Sequence, residues 1–213
     1  MYMGLVQGVA TIERAERLPG RTALTLRLAD ELLTDLYIGA SVAVEGVCLS
    51  VTAMDGNLIG FDVTKGTLDT TNLGTLARDR VNVERSAKLG DEIGGHLMAG
   101  HVSGVARIVD MDIRSDHMWI KLRVPMPWAK YIFTHGFLAV NGASLTVAKA
   151  EGDVFTINLI PETIRQTTFG LYEVGDEVNF EVEQQTVVLV ETIERTIEAV
   201  SARLGSIAAA PCA

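Results

Sequence analysis

The chain has 213 residues, of which 48% are hydrophobic and 21% charged, a composition typical of a packed globular protein. Its formal net charge is −9 and no cluster of basic residues stands out, so the composition argues against a nucleic-acid partner. No window approaches 18 consecutive apolar residues, so no segment is expected to span a membrane.

The cysteine content and the first residues bear on the cellular compartment. Cys48 lies in an apolar run and Cys212 lies at the extreme tail, a pattern that does not indicate a disulfide framework. The first residues lack the basic region of a signal peptide and reach Glu13 too early for one. We therefore expect a reducing, cytoplasmic setting.

An internal repeat organises the chain. MGLVQGVATI at residues 3–12 aligns with AGHVSGVARI at 99–108, so Gly4 matches Gly100 at an offset of 96. The same offset relates GVCLSV at 46–51 to GASLTV at 142–147, and TLDTTNLG at 67–74 to TIRQTTFG at 163–170. VNVE at 81–84 matches VNFE at 178–181 at an offset of 97. The ordered blocks predict two copies of one module.

Each copy has the pattern of short strands. Alternating or β-branched runs separated by glycine, asparagine and aspartate predict strands at 22–28, 41–44, 48–52 and 58–63, and again at 118–124, 137–140, 144–147 and 154–159. Residues 31–36 and 129–133 are predicted to form single helical turns. We expect an all-β fold, a tandem duplication of two small antiparallel Greek-key β-barrels followed by a helix. The predicted bounds are 1–90, 91–185, a helix at 186–205 and a disordered tail at 206–213.

The predicted C-terminal helix carries a heptad pattern. Its apolar positions are Val190, Ile193, Ile197, Val200 and Leu204, at spacings of three and four residues. A helix this short is marginal alone in water and should pack against something. It packs either onto its own barrel or against copies of itself in an oligomer, and the pattern favours the second.

Polar side chains recur at equivalent places in the two predicted barrels. Cys48 and Ser50 share one face of a strand, and Ser144 and Thr146 share the matching face in the second copy. These pairs either form the floor of a pocket or bond to nearby main-chain carbonyls. Their repetition favours a pocket in each copy, rimmed by the matching blocks at 62–67 and 158–163.

A histidine distinguishes the copies. His101 stands in the second copy where Leu5 stands in the first, and an imidazole can transfer protons near neutral pH. It is either a catalytic group or a hydrogen-bonded structural residue. The asymmetry predicts two ligands that are treated differently. A zinc site formed with His96 is disfavoured because no cysteine ligand lies nearby.

The sequence resembles the riboflavin synthase family over nearly its whole length. The specific stretches are GLVQG at 4–8, GVCLSV at 46–51, TNLG at 71–74, GGHLMAGHV at 94–102, NGASLTV at 141–147 and LIPET at 159–163. The resemblance implies two lumazine-binding barrels, a C-terminal helix and a homotrimer, with lumazine synthase a further candidate partner. It implies no cofactor and no metal. The implied reaction is the dismutation of two molecules of 6,7-dimethyl-8-ribityllumazine, in which a four-carbon unit passes between them to give riboflavin and a pyrimidinedione.

The resemblance also implies site residues. Proton transfer or orientation of a nucleophile falls on Cys48, His101, Ser144, Thr146 and Ser41, in a site shared between neighbouring subunits. The expected substrate-binding residues are Gly4, Leu5, Val6, Cys48, Leu49, Ser50, Asp62, Val63, Thr64, Gly66, Thr67, Gly100, His101, Val102, His135, Ser144, Leu145, Thr146, Asn158, Leu159, Ile160, Pro161, Glu162 and Thr163.

Several positions depart from the family's usual residues: Met3, Ser50, Gly66, His135, Asn141 and Glu183. These departures keep two alternatives open, a non-catalytic lumazine or flavin carrier of the antenna type and an unrelated two-barrel binding module. The GGHLMAGH run and the LIPET block favour the synthase, because antenna-type relatives tend to lose them.

Overall fold

Two closed barrels of six antiparallel strands form the body of the structure, a computed structural model that describes residues 1–75, 78–114 and 117–208. The first barrel comprises β1 (Gly8–Leu18), β2 (Arg21–Arg27), β3 (Ser41–Val44), β4 (Val47–Asp55), β5 (Leu58–Thr64) and β6 (Arg80–Arg85). The second comprises β7 (Gly104–Ile113), β8 (Met118–Arg123), β9 (Phe137–Val140), β10 (Ala143–Glu151), β11 (Val154–Leu159) and β12 (Glu177–Val182). The fold class predicted from the repeat is confirmed.

The two barrels share one strand order. It is β1-β2-β5-β4-β3-β6 in the first, and the second follows the same path through β7-β8-β11-β10-β9-β12. Irregularities in register lie at matching points, after Ile12 and Val51 in one copy and after Ile108 and Val147 in the other. Such bulges bend a strand and increase its twist, which helps a small sheet to close.

Short helices connect the strands at equivalent places. The first barrel has α1 (Lys65–Thr70) after β5, and the second has α2 (Met126–Ala129) after β8 and α3 (Pro161–Gln166) after β11. Short 3-10 helices occupy Asp30–Leu33, Asn72–Gly74 and Thr168–Leu171. The helical turn predicted at 129–133 was placed too late, because a proline in the first turn starts the helix at Met126.

Alternation along each strand separates core from surface. In β4, Leu49 and Val51 are buried in the first core, while Cys48 is half-buried and Ser50 exposed. In β10, Leu145 and Val147 are buried, while Ser144 is half-buried and Thr146 exposed. The two polar pairs therefore lie on the outer surfaces of their barrels.

Main-chain contacts join the barrels around an approximate twofold axis. Gly46 and Gly142 face each other with φ of +80° and +82°, and a Cβ on either would lie within 2.9 Å of a main-chain nitrogen of the other. Asn82 donates its side-chain N–H to the carbonyl of Asn141 at 3.0 Å, and Asn179 donates to that of Glu45 at 2.8 Å. The barrels thus meet through paired turns that admit no larger residue.

The C-terminal helix α4 (Gln184–Ala208) begins two residues before its predicted start and extends beyond residue 205. Val187 and Val190 pack against the second core, and Lys130 contacts Glu191 at 3.1 Å. Lys130 also pairs with Glu194, but Ile193, Ile197, Val200 and Leu204 are 49%, 60%, 50% and 62% exposed, so the barrel does not cover this apolar stripe. The predicted tail falls partly on residues 209–213, outside the described residues, as does Cys212. No helix within the described ranges is long and apolar enough to cross a membrane.

Candidate functional site

Two segments without regular secondary structure each lead into one barrel but pack against the other. Residues 1–7, here the first crossover segment, lead into β1, and residues 97–103, the second crossover segment, lead into β7. The segments pair with each other through Tyr2 and Met98, whose N–H groups donate to each other's carbonyls at 2.9 Å. The first crossover segment then runs beside β10 of the second barrel, and the second crossover segment runs beside β4 of the first barrel.

Main-chain hydrogen bonds fix this exchange. Ser144 of β10 donates its N–H to the Gly4 carbonyl at 2.9 Å, and Cys48 of β4 donates to the Gly100 carbonyl at 2.9 Å. Val6 packs against the second core and Val102 against the first. His101, although it belongs to the second repeat, therefore lies on the first barrel, and Leu5 lies on the second.

The second barrel presents a cavity of about 410 Å³ beside β10. Its walls are the first crossover segment, β10 and helix α3, represented by Leu5, Val6, Ser144, Leu145 and Thr163. On α3, Glu162 forms an ion pair with Arg165 and accepts a hydrogen bond from Gln166 at 3.1 Å. The cavity thus combines apolar walls with a few polar groups, as small-molecule sites do.

A serine–histidine pair adjoins this cavity. The Oγ of Ser144 lies 2.6 Å from Nδ1 of His96, whose ring stacks on Phe137 with centroids 5.3 Å apart. Burial lowers the pKa of His96 below its usual value, although the charge of Glu183 opposes this shift. The imidazole is therefore held largely neutral near neutral pH and can accept a proton, directly or through the serine hydroxyl.

The matching position on the first barrel carries a thiol. The hydroxyl of Tyr2 donates to Sγ of Cys48 at 3.1 Å, and Gly100 packs directly over this cysteine. Burial raises the pKa of Tyr2, so its hydroxyl keeps its proton as a donor. Ser41 lies near the Tyr2 hydroxyl and is paired in register with Ser50. The first barrel thus has a tyrosine–cysteine–serine cluster where the second has a histidine–serine pair.

The remaining predicted residues fall into three groups by position. The side chains of Leu49, Val63, Leu145 and Leu159 lie in the barrel cores, so their main-chain atoms are what a ligand on the outer surface can reach. Exposed positions on or beside β4, β5, β10 and β11 are Ser50, Asp62, Thr64, Gly66, His135, Thr146, Asn158, Ile160, Pro161 and Glu162. Half-buried positions are Ser41, Thr67, Val102 and Thr163.

Two of these positions take part in the local structure around the rims. Thr64 caps α1, its Oγ1 lying 3.4 Å from the N–H of Thr67. His135 adopts a φ of +69° and donates its N–H to the carbonyl of Val147 at 2.8 Å, which places it beside the middle of β10, just before β9 begins. Thr64 thus ends β5, whereas His135 lies in the turn that leads into β9.

Sequence reasoning missed two residues at these sites. Tyr2 was not singled out, and His96 was considered only as a zinc ligand with His101, whereas the crossover places the two histidines on different barrels. His96 lies outside the aligned blocks of the repeat, the second of which begins at residue 99, so the alignment does not single it out. Among the described residues no group of three or more His, Cys, Asp or Glu is arranged to hold a metal ion.

Comparison with known proteins identifies the repeat. The model of the lumazine binding domain matches residues 3–86 and again residues 99–183. Riboflavin synthase of Escherichia coli is 42% identical over 93% of this chain and 94% of its own length, and that of Chlamydia trachomatis is 38% identical over 92% and 96%. Crystal structures of LumP superpose with TM-scores of 0.82 for its complex with riboflavin and 0.79 for that with 6,7-dimethyl-8-(1'-D-ribityl) lumazine, at 23% identity over 86% of this chain and all of LumP. The chain belongs to the riboflavin synthase family, whose lumazine-binding domain it contains twice.

Proposed function

We propose that this protein is a riboflavin synthase, a transferase that converts two molecules of 6,7-dimethyl-8-ribityllumazine into riboflavin and a ribitylamino-pyrimidinedione. The observation that carries the proposal is the pair of unlike sites on like barrels. One outer surface carries Ser144 bonded to His96, and the other carries Cys48 bonded to Tyr2. A reaction between two copies of one substrate needs two similar binding sites that treat the two molecules differently.

Binding in each barrel uses one wall from each repeat. A lumazine on the second barrel lies between the first crossover segment and α3, in the cavity of about 410 Å³. Its partner on the first barrel lies between the second crossover segment and α1, beside Cys48 and Ser50. The exposed main-chain groups of the crossover segments bond to the bicycle, and Thr67 and Thr163 at the helix starts face the polar chain.

The chemistry begins with loss of a proton from the acidic ring methyl of one lumazine. An imidazole is suited to accept it, so His96 through Ser144, and the exposed His101 on the other barrel, are the candidate bases. Cys48 and Ser41 orient or add to the ring that gives up its four-carbon unit, and Thr146 adds a hydroxyl beside Ser144. Much of the rate comes from holding the two rings in reacting geometry.

The complete site requires a second subunit. Within one chain both outer surfaces are open, and Phe137, which stacks on His96 beside the second site, is 50% exposed. In a homotrimer, the first barrel of one subunit covers the second barrel of its neighbour. The apolar stripe of Leu189, Ile193, Ile197, Val200 and Leu204 along α4 supports such an assembly, because it has no partner in the described part of the chain.

The proposal includes a cellular setting. We place the protein in the reducing cytoplasm, in keeping with the free thiol of Cys48. Lumazine synthase remains a candidate partner, because a partner of that kind would deliver the substrate directly.

Turnover with the lumazine as sole substrate tests the function. The purified protein should form riboflavin with no added cofactor, and Ser144→Ala and Cys48→Ala should each slow the reaction. A carrier of the antenna type would bind the lumazine and alter its fluorescence without forming riboflavin. That result would replace the synthase assignment with the carrier, which the chain's 23% identity to LumP supports less than its 42% identity to a synthase.

A further inference from the structure

The repeated VNVE and VNFE blocks end in buried carboxylates. Glu84 at the end of β6 is 3% exposed and Glu181 in β12 is 7% exposed. Neither touches the outer surface on which the candidate ligands bind. An isolated buried carboxylate is costly, so its partners indicate what it is there to hold.

The partners of both carboxylates are main-chain N–H groups of the crossover segments. Glu84 accepts from Met3 at 2.7 Å and from Gly4 at 3.1 Å. Glu181 accepts from Ala99 at 2.8 Å and from Gly100 at 3.1 Å. Successive N–H groups around a left-handed residue form a concave anion site, and Gly4 and Gly100 have φ of +72° and +78°. Each carboxylate therefore fixes the sharp bend of one segment.

The carbonyl side of each bend faces the other barrel. Gly4, held by Glu84, accepts the N–H of Ser144, and Gly100, held by Glu181, accepts the N–H of Cys48. Space at both contacts is minimal, since a Cβ on Gly4 would lie 2.4 Å from Cβ of Ser144 and one on Gly100 would lie 2.7 Å from Cβ of Cys48. A small shift of either segment must therefore move the opposite strand or the residues that follow the bend.

We infer that Glu84 and Glu181 are positioning residues that act crosswise, each setting the geometry of the lumazine site on the barrel to which it does not belong. Glu84 of the first barrel fixes Leu5 and Val6 as a wall of the second site. Glu181 of the second barrel fixes His101 and Val102 at the first site. The inference rests on the proposed function for its catalytic consequence, but the crosswise linkage is a property of the folded chain.

Amide hydrogen exchange tests the linkage without any substrate. Glutamine in place of either glutamate keeps the size but sets an NH2 group against main-chain donors. In Glu84→Gln, exchange at the Ser144 amide should accelerate by about 10-fold or more, the effect of losing one hydrogen bond to a charged group, and by more than exchange at Cys48. Glu181→Gln should show the reverse. Equal acceleration at both amides, or a larger one at the amide of the mutated residue's own barrel, would overturn the inference.

Steady-state kinetics with the lumazine provide the second readout. In both variants kcat should fall by up to about 100-fold, the effect of misplacing a reacting group by about 1 Å. The melting temperatures should stay well above the assay temperature, so the loss of kcat is not caused by unfolding. Glu16→Gln, an exposed carboxylate on β1 paired with Arg14, is the matched control and should keep both exchange and turnover. Unchanged turnover in both variants, with a wild type that forms riboflavin, would reduce the two glutamates to structural residues and end the positioning role.

The crosswise linkage can still be tested if the glutamine variants do not fold or if the proposed function is wrong. If the glutamine variants do not fold, Glu84→Asp and Glu181→Asp retain the charge on a shorter side chain, and the same crosswise pattern is required of them. If the wild type binds lumazine without making riboflavin, the proposed function fails while the exchange pattern still decides the crosswise linkage.

Discussion

Replacing Gly100 with alanine measures how closely the second crossover segment lies against Cys48. The glycine has a φ of +78°, where an L-residue costs about 1–2 kcal/mol. An added Cβ would lie 2.7 Å from Cβ of Cys48, 2.9 Å from the Tyr2 ring and 3.0 Å from the Cys48 nitrogen. Overpacking of this kind costs about 1–3 kcal/mol, so the free energy of unfolding should fall by about 2–5 kcal/mol.

Gly20→Ala is the matched control, because it separates backbone strain from crowding. Gly20 has a φ of +79° but nothing within 4 Å of the added Cβ, so only the backbone cost of about 1–2 kcal/mol applies. For a chain of this length, 1 kcal/mol lowers the melting temperature by about 2–4 °C. Gly100→Ala should therefore melt about 2–12 °C below Gly20→Ala in calorimetry at equal protein concentration.

The activities of the two variants complete this test. Gly100 directly precedes His101, so relief of the overlap shifts the candidate base and should slow riboflavin formation at least about 10-fold, whereas Gly20→Ala should match the wild type. Equal melting temperatures together with equal turnover would show that the segment does not lie against Cys48, and would refute the crossover on which the site is built.

Three further substitutions test the pH dependence, the assembly and the chemistry. Burial raises the pKa of Glu45 to about 7, so its contribution to stability is complete below about pH 4.5 and is lost as the pH rises through 7. In chemical denaturation, Glu45→Gln should remove up to roughly 3 kcal/mol of this decline in the free energy of unfolding. An unaltered pH profile would contradict the raised pKa. Ile197→Asp places a charge in the exposed stripe of α4 and should give monomers by light scattering, whereas a persistent trimer would exclude the helix as its main determinant. His101→Gln should lower kcat by about 10²–10⁴ and leave lumazine affinity nearly unchanged, and unchanged turnover would end its role as a base.

The duplicated barrels were predictable because strands and turns leave patterns among residues that are close together in the sequence. Alternation in runs such as 22–28 and 118–124 and the glycines between the runs depend only on neighbouring residues, and the alignment at offsets of 96 and 97 shows the same pattern in both copies. The helices α1 and α3 were not predicted because each has only six residues, too few for a helical period to appear in the sequence.

The crossover was not predictable from the repeat. Aligning Leu5 with His101 shows that the two residues are equivalent but does not show on which barrel either lies, since the same alignment arises whether a segment packs on its own barrel or on the other. The exchange depends on Tyr2 meeting Met98 across the approximate twofold axis and on buried Glu84 and Glu181, all long-range contacts. His96 was missed as a partner of Ser144 for the same reason.

A crystal structure of the protein with a non-reacting lumazine analogue would show directly whether each barrel binds one lumazine on its outer surface. We expect two molecules per chain, one on the outer surface of each barrel. One should lie between the first crossover segment and α3 beside Ser144, and the other between the second crossover segment and α1 beside Cys48. A single analogue per chain, or analogues bound inside the barrels or in the cavity of about 240 Å³ beside Glu45 and Tyr172, would contradict it.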